Sequence, residues 1–341
     1  MADIELRFDK DMLVLSAPID AVLARQGIDA AHDRQYLNLM EPDIVHDALN
    51  LEVMAGAQCI VTTTEDITRA RLAHVRMDGD ADRLALDALA IAQSLSPQHV
   101  LIEIGPCGLP LDQFSKASLN ESRAQYADAA RAFGNEGFDA FLLSGFTKIA
   151  DMKCALMGVA QVSDKPVFAS MAIGEAPLEP VTLPDATAEG TAASVGISHA
   201  FELHEAVEVP TFAGVRSVRT PLPLEKWPEA VEAMEDLGAD VIGFETADPI
   251  PRAVEYAKQT AHLTGLPLLA QLYVDPTTQG KAKSTLVPLE DIEEYTPDTM
   301  ASVSIKLYGA GVQFLRATGA ATPAFTGALA ATVMGLDVRP R

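Results

Sequence analysis

Four segments of this chain repeat one pattern, a glycine followed by an apolar run that ends in polar residues. They are "GAQCIVTTT" from Gly56, "GFDAFLLSG" from Gly137, "GADVIGFET" from Gly238 and "GAGVQFLRA" from Gly309. Each follows an amphipathic helical stretch, such as "WPEAVEAMEDL" before Gly238. Glycine suits a left-handed helix cap there, because it has no Cβ to clash at positive φ. The apolar run that follows reads as a parallel strand buried on both faces. "KPVFASMA" from Lys165 and "LPLLAQLY" from Leu266 enter through a proline instead, and "MLVLSA" (Met12–Ala17) and "HVLIEIG" (His99–Gly105) bring the strands to eight.

Helical patterns over roughly 43–56, 80–96, 118–136, 148–164, 224–237, 249–264, 289–310 and 323–334 separate them. Eight alternating β/α units predict an α/β fold of the (β/α)8 TIM barrel type, rather than an open doubly wound sheet. No glycine-rich phosphate loop follows any strand, so no nucleotide site is expected. One connection is out of scale. About 50 residues separate the fifth strand from the helix at 224, whereas loops in compact domains rarely exceed about 15. This stretch, 174–222, is rich in Pro, Thr and Ala, with a helix-like centre from His199 to Val207. It leaves the C-terminal end of a strand, so it is expected as an insertion over the C-terminal face within a single domain spanning 1–341.

The 341 residues are 48% hydrophobic and 21% charged, enough apolar mass for a barrel core. A net charge of −23 excludes the basic patches that nucleic acid or an anionic membrane surface requires. Cys59, Cys107 and Cys154 are too few and too scattered for a disulfide framework. The charged start "MADIELRFDKDM" lacks the apolar core of a signal peptide, and no apolar run approaches the ~18 residues of a membrane span. These features read as a cytoplasmic protein.

Barrel enzymes place their chemistry at strand C-termini. Those positions hold Ser16, Thr62 to Glu65, Glu103, Ser144, Met171, Glu245 with Thr246, Gln271 with Tyr273, and Arg316 with Thr318. Glu103 and Glu245 interrupt runs that are otherwise apolar, and a carboxylate there is costly unless paired or protonated. Arg316 is the obvious partner for an ion pair across the mouth. The last of these turns, "FLRATGAATPAF" (Phe314–Phe325), has only Arg316, Thr318 and Thr322 as polar side chains, and Thr322-Pro323 opens the final helix.

"LNLMEPDIVHDALNLEVMAGAQCIVTTTEDITRARL", "IGPCG", "GLPLLAQLYVDP" and "GAGVQFLRATGAATPAF" together resemble the homocysteine S-methyltransferase family in order and spacing. The resemblance covers nearly the whole chain except 174–222, and implies the barrel. It also implies a zinc ion held by three cysteines, one after strand 6 and an adjacent pair after strand 8, that turns a thiol into a thiolate nucleophile. This sequence carries Thr246 at the first of those positions and Thr318 and Gly319 at the pair. The resemblance further implies an Asp-Gly after strand 1, here Ser16-Ala17, and an ammonium-binding Glu after strand 4, here Ser144. An Asn of the family stands as Thr63, and Glu65 replaces an aromatic residue.

The expected protein is therefore a methyltransferase that works without zinc or any other bound cofactor. Glu103 and Glu245 are the expected acid or positioning groups, and Ser16, Thr63, Glu65, Ser144, Tyr273 and Arg316 the expected substrate contacts. The donor is expected to be a small methylated molecule, cationic given the acidic mouth and Tyr273, or else a methylated pterin. A corrinoid protein is an expected acceptor, and the resemblance implies homo-oligomers. Two further readings remain. In one, Glu65, Glu103 and Glu245, with His199 and His204 reaching over, hold Mg²⁺ or Mn²⁺ in a lyase or hydrolase. In the other, the chain is an inactive ligand-binding or partner subunit. Cys59 and Cys154 read as core residues, whereas Cys107 lies in the strand 3 turn toward the active end.

Overall fold

A computed structural model describes residues 4–179, 218–276 and 294–337. Eight parallel strands form its centre: β1 (Leu13–Val14), β2 (Cys59–Val61), β3 (His99–Ile104), β4 (Ala140–Phe146), β5 (Val167–Ala172), β6 (Val241–Thr246), β7 (Leu268–Val274) and β8 (Val312–Gly319). Consecutive strands pair from β2 to β8, and β8 pairs β1. The seam between β1 and β2 is closed by two backbone bonds, Gln58 N–H to Val14 O at 3.0 Å and Ser16 N–H to Cys59 O at 2.9 Å. The predicted (β/α)8 barrel is the fold.

Around it run α1 (Asp20–Arg25), α2 (Ala30–Met40), α3 (Pro42–Ala55), α4 (Arg69–His74), α5 (Ala81–Ser94), α6 (Lys116–Ala132), α7 (Ile149–Val159), α8 (Trp227–Asp236), α9 (Ile250–Leu263), α10 (Pro297–Gly309) and α11 (Pro323–Val333). The helices expected from periodicity are present, except that the one expected over 289–310 begins at Pro297, and 289–293 lie outside the described residues. The short α1, α2 and α4, which extend the β1 and β2 loops, are not among those expected. Pro42, Pro297 and Pro323 open their helices, where a missing N–H costs nothing. Gly56 caps α3 in the left-handed region, as the repeat predicts. In the fourth repeat that role falls to Gly311 (φ 91°) rather than Gly309, because α10 runs through Gly309.

Alternation along each strand sends every second side chain into the barrel. The N-terminal half of this interior is apolar: Leu13, Leu101, Leu142, Phe168, Leu269 and Phe314 pack there with Ile4, from a short 3-10 turn that plugs the barrel floor. Phe8 completes an aromatic cluster, edge-on to Phe168 and Phe314 at 6.0 Å each, while those two rings stand 4.8 Å apart. One and two residue pairs further along, the same inward rows become Ser170, Glu103, Gln271 and Arg316, then Glu245, Tyr273 and Thr318.

The described ends of the 174–222 segment continue the barrel. Ile173 bridges Leu222 in parallel, and Leu178 bridges Arg219 antiparallel through two N–H···O bonds of 3.0 Å. Its centre, with His199 and His204, lies outside the described residues. No described helix is long and apolar enough to cross a membrane.

Candidate active site

The inward rows end in a cavity of about 110 Å³ at the C-terminal mouth, walled by Asp20, Glu65, Asp66, Arg71, Glu103, Ser144, Arg219, Glu245, Tyr273, Arg316, Thr318 and Gly319 among others. Three arginine-centred clusters build it.

The deepest is Arg316 on β8, 1% exposed at the side chain. Its Nη1 and Nη2 grip both oxygens of Glu103 at 2.6 and 3.1 Å, Nη1 also meets Gln271 Oε1 at 3.2 Å, and Nε donates to Ser16 O at 3.0 Å. Ser144 Oγ donates to Glu103 at 2.9 Å, and Gln271 donates to Ser170 Oγ at 2.7 Å. This network ties five strands together across the barrel. A bidentate Arg–carboxylate pair with its remaining donors satisfied can persist in a dry interior. The ion pair anticipated between Arg316 and a mouth glutamate is therefore present, with Glu103.

The second cluster sits one residue pair nearer the mouth, where β6, β7 and β8 end. Arg219 Nη1 donates to Glu245 Oε2 at 2.7 Å, and Thr318 donates to Glu245 Oε1 at 2.8 Å. The guanidinium lies 5.6 Å from the centre of the Tyr273 ring, so the aromatic face expected to greet a cationic donor is covered by this chain's own arginine. The Tyr273 hydroxyl donates to the carbonyl of Glu179.

The third cluster surrounds Glu65. Arg34, reaching in from α2, bonds Asp20 at 3.2 Å, Glu65 at 3.1 Å and Asp66 at 3.2 Å. Gln35 adds a bond to Asp66 at 2.9 Å. Glu65 runs through a slot between two glycines. A Cβ on Gly105 would stand 2.7 Å from Glu65 Cγ, and one on Gly145 would stand 3.2 Å from its Oε1. Only glycine lets the chain approach so closely. Burial pushes the Glu65 carboxyl up to about 7; Arg34 and Arg219 pull it down, while Asp66 and Glu103 push it further up. Asp20, Glu65, Asp66, Glu103 and Glu245 share this small space with Arg34, Arg71, Arg219 and Arg316. Glu65 is the one that lines the cavity with a side chain 25% exposed, against 6% for Glu103 and 4% for Glu245.

Of the residues expected from sequence, Glu65, Glu103, Ser144, Glu245, Tyr273, Arg316, Thr318 and Gly319 line this cavity. Ser16 and Thr63 do not. Ser16 accepts from Val61 N–H at 2.9 Å and fastens the barrel seam, and Thr63 donates to Asn38 at 2.7 Å. Thr246 is buried and accepts from Asp248 N–H at 3.1 Å. Cys107 is 1% exposed and lies 3.9 Å from Ser122 Oγ, away from the cavity. Sequence reading missed Asp20, Arg34, Asp66, Arg71 and Arg219. "TEDITRAR" carries a visible signal for Asp66 and Arg71, adjacent to Glu65 in charge-rich sequence. Nothing local marks Arg34 or Arg219.

The positions that the family resemblance assigns to zinc do not fit that ion. Two hold threonine hydroxyls already engaged, and the third is Gly319, at φ 66°, where a Cβ would meet Val274 O at 2.6 Å and the Tyr273 ring at 2.9 Å. Zinc sites of this type need thiolates. Nor do the described residues include any group of three His, Cys, Asp or Glu side chains arranged to hold another metal. Of the carboxylates named in the Mg²⁺ or Mn²⁺ reading, Glu103 and Glu245 are engaged by Arg316 and Arg219, and its His199 and His204 lie outside the described residues.

A family model for homocysteine S-methyltransferase matches residues 21–200. The homocysteine methyltransferase MmuM from Escherichia coli superposes in its metallated form with a TM-score of 0.62 at 15% identity, and in its oxidised form with 0.64 at 14%. Each alignment covers 94% of this chain and 96% of that one. Identities this low establish the shared fold alone. No curated protein sequence matches the chain. The family match ends before β6 and β8, the strands whose ends carry Thr246, Thr318 and Gly319, yet it spans just over half of the chain: the protein belongs to the homocysteine S-methyltransferase family.

Proposed function

We propose that this protein is a methyltransferase that works without zinc, taking the methyl group of a small cationic donor, a quaternary ammonium or sulfonium compound, at the mouth of the barrel. The observation that carries this reading is Glu65: a partly exposed carboxyl poised near neutrality in a cavity whose metal-ligand positions offer no thiolate. An ionised Glu65 adds negative charge to the cavity wall and favours an onium guest, and a protonated Glu65 does not. Donor binding and proton release at Glu65 are thereby linked.

In such a transfer the bond from methyl carbon to donor nitrogen or sulfur breaks, its electron pair leaves with the donor, and the acceptor forms the new bond to carbon. Where the acceptor is a thiol, its proton passes to Glu65, which takes over the task of generating the nucleophile. A corrinoid protein as acceptor needs no such proton. Glu103 and Glu245, assigned as acid or positioning groups from sequence, serve in this reading as arginine-held walls, and the proton-handling role passes to Glu65.

The test is to treat the protein with a chelator, confirm its metal content by elemental analysis, and follow ¹³C-methyl donors by NMR. The donors are quaternary ammonium, sulfonium and methylated pterin compounds; the acceptors are homocysteine and cob(I)alamin. Transfer from an onium donor by metal-free protein is expected, lost in Glu65→Gln for a thiol acceptor. Activity that appears only with stoichiometric zinc would overturn the reading. Binding without transfer to either acceptor would overturn it in favour of a ligand-binding relative.

A further inference from the structure

The 174–222 segment returns to the barrel at Arg219, and what that residue does in the mouth follows from four observations. Its backbone is clamped on both sides, since Arg219 N–H and O pair with Leu178 at 3.0 Å each, and Leu222 N–H bonds Ala172 O at 2.8 Å at the end of β5. Its guanidinium is fixed by Glu245 at 2.7 Å and lies over the Tyr273 ring. Through Glu245 it is joined to Thr318, one of the positions without a metal-binding thiol. Its Nη1 also lies 3.3 Å from the point where a Gly145 Cβ would stand, and Glu65 Oε1 lies 3.2 Å from that same point, so the cation and the carboxyl converge over Gly145. Unlike Arg316, which is 1% exposed, Arg219 keeps 27% of its side chain open toward the cavity.

We infer that Arg219 is a positioning residue of this site: an internal cation, delivered by the chain as it returns from the insertion, that orients Glu245 and sets the charge state of Glu65 at a mouth with no thiolates for a metal. A planar guanidinium suits that place, because it forks onto a carboxylate while lying flat on a ring. Among the described residues, the charged groups facing Glu65 include Arg34 from α2, Asp66 from its own loop, Glu103 from β3 and Arg219. Arg34 is buried among three carboxylates and its charge is shared, whereas Arg219, a cavity-lining cation, acts on Glu65 from the cavity side. Removing it leaves Glu65 beside Asp66 and Glu103 with less compensation, so the proton is held more tightly.

The inference rests on the proposed function only for its kinetic arm. Carboxyl ¹³C NMR of glutamate-labelled protein, titrated from pH 4 to 10, reads Glu65 directly, with its signal assigned by its loss in Glu65→Gln. In Arg219→Gln the Glu65 midpoint is expected to rise by about one pH unit, with Arg219→Lys close to wild type. An unchanged midpoint in folded Arg219→Gln, judged by circular dichroism, overturns the inference. If Arg219→Gln does not fold, Arg219→Met, which keeps an apolar stem against Tyr273, decides: a rise of about one unit supports a role for the charge, and a midpoint within about 0.3 unit of wild type overturns it. Where methyl transfer is measurable, the pH profile of kcat/KM is expected to move up with the NMR midpoint. A titration that shifts while no transfer is found would leave the inference standing and sink the proposed function alone.

Discussion

The two ends of the barrel interior are built from the same eight strands, and they are held by opposite physics. At the floor, Phe8, Phe168 and Phe314 pack edge to face and gain stability from removing apolar area from water. At the mouth, two to four residues further along the same strands, carboxylates and arginines are withdrawn from water and compensate one another. The floor tolerates any side chain of suitable size and apolarity. At the mouth each charge depends on its neighbours, and Glu65, the most open of its three glutamates, is where chemistry becomes available.

That contrast can be broken most forcefully at Arg316. Arg316→Ala strands Glu103 in the barrel interior, and a loss of about 3–5 kcal/mol in urea denaturation is expected. A loss below about 1 kcal/mol would mean that water reaches Glu103 and that the mouth is not the closed network described. At the floor, Phe8→Ala removes one partly buried ring and is expected to cost about 1–2 kcal/mol while leaving the Glu65 titration unmoved. A shifted titration would show that the two ends are mechanically coupled.

The pH dependence of stability separates the ends more finely. Glu65 titrates near 7 in the folded chain and near its ordinary value, about 4.3, when unfolded. The folded state therefore binds the proton more tightly, so this group's contribution is complete below about pH 4 and is lost as pH rises through about 7. Glu65→Gln is expected to flatten that slope, by up to about 1.4 kcal/mol per pH unit, and to be more stable than wild type at pH 8. An identical pH–stability curve in the variant would remove Glu65 from its assigned environment.

The subtlest expected result is a failure to gain function. Thr246→Cys, Thr318→Cys and Gly319→Cys combined restore the thiols of the family pattern, yet stoichiometric zinc is not expected by elemental analysis, because a side chain at Gly319 collides with Val274 O and Tyr273. Tight zinc uptake would show that the turn rearranges more easily than its packing suggests.

Much of this was legible in the sequence. The glycine-plus-apolar-run repeat and the intervening helical periods predicted the barrel, and Glu103, Glu245 and Glu65 stood out as carboxylates at strand ends. Ser16 and Thr63 were placed at the right ends of their strands but turn into the frame, Ser16 onto Val61 and Thr63 onto Asn38. Position along a strand is a local property, whereas which neighbour claims a hydroxyl is not.

What the sequence determined by itself is what short-range pattern can encode: strand and helix periods, burial, the carboxylates at strand ends and the threonines and glycine in place of metal-binding cysteines. The tertiary structure alone decided how those charges are matched. Arg34 meets Glu65 across 31 positions of sequence, and Arg316 meets Glu103 across 213. Arg219 meets Glu245 across 26. Closing the barrel converges eight strand ends on one small space, and the energy of a charge there depends on its distance to every other, which no single stretch of chain contains.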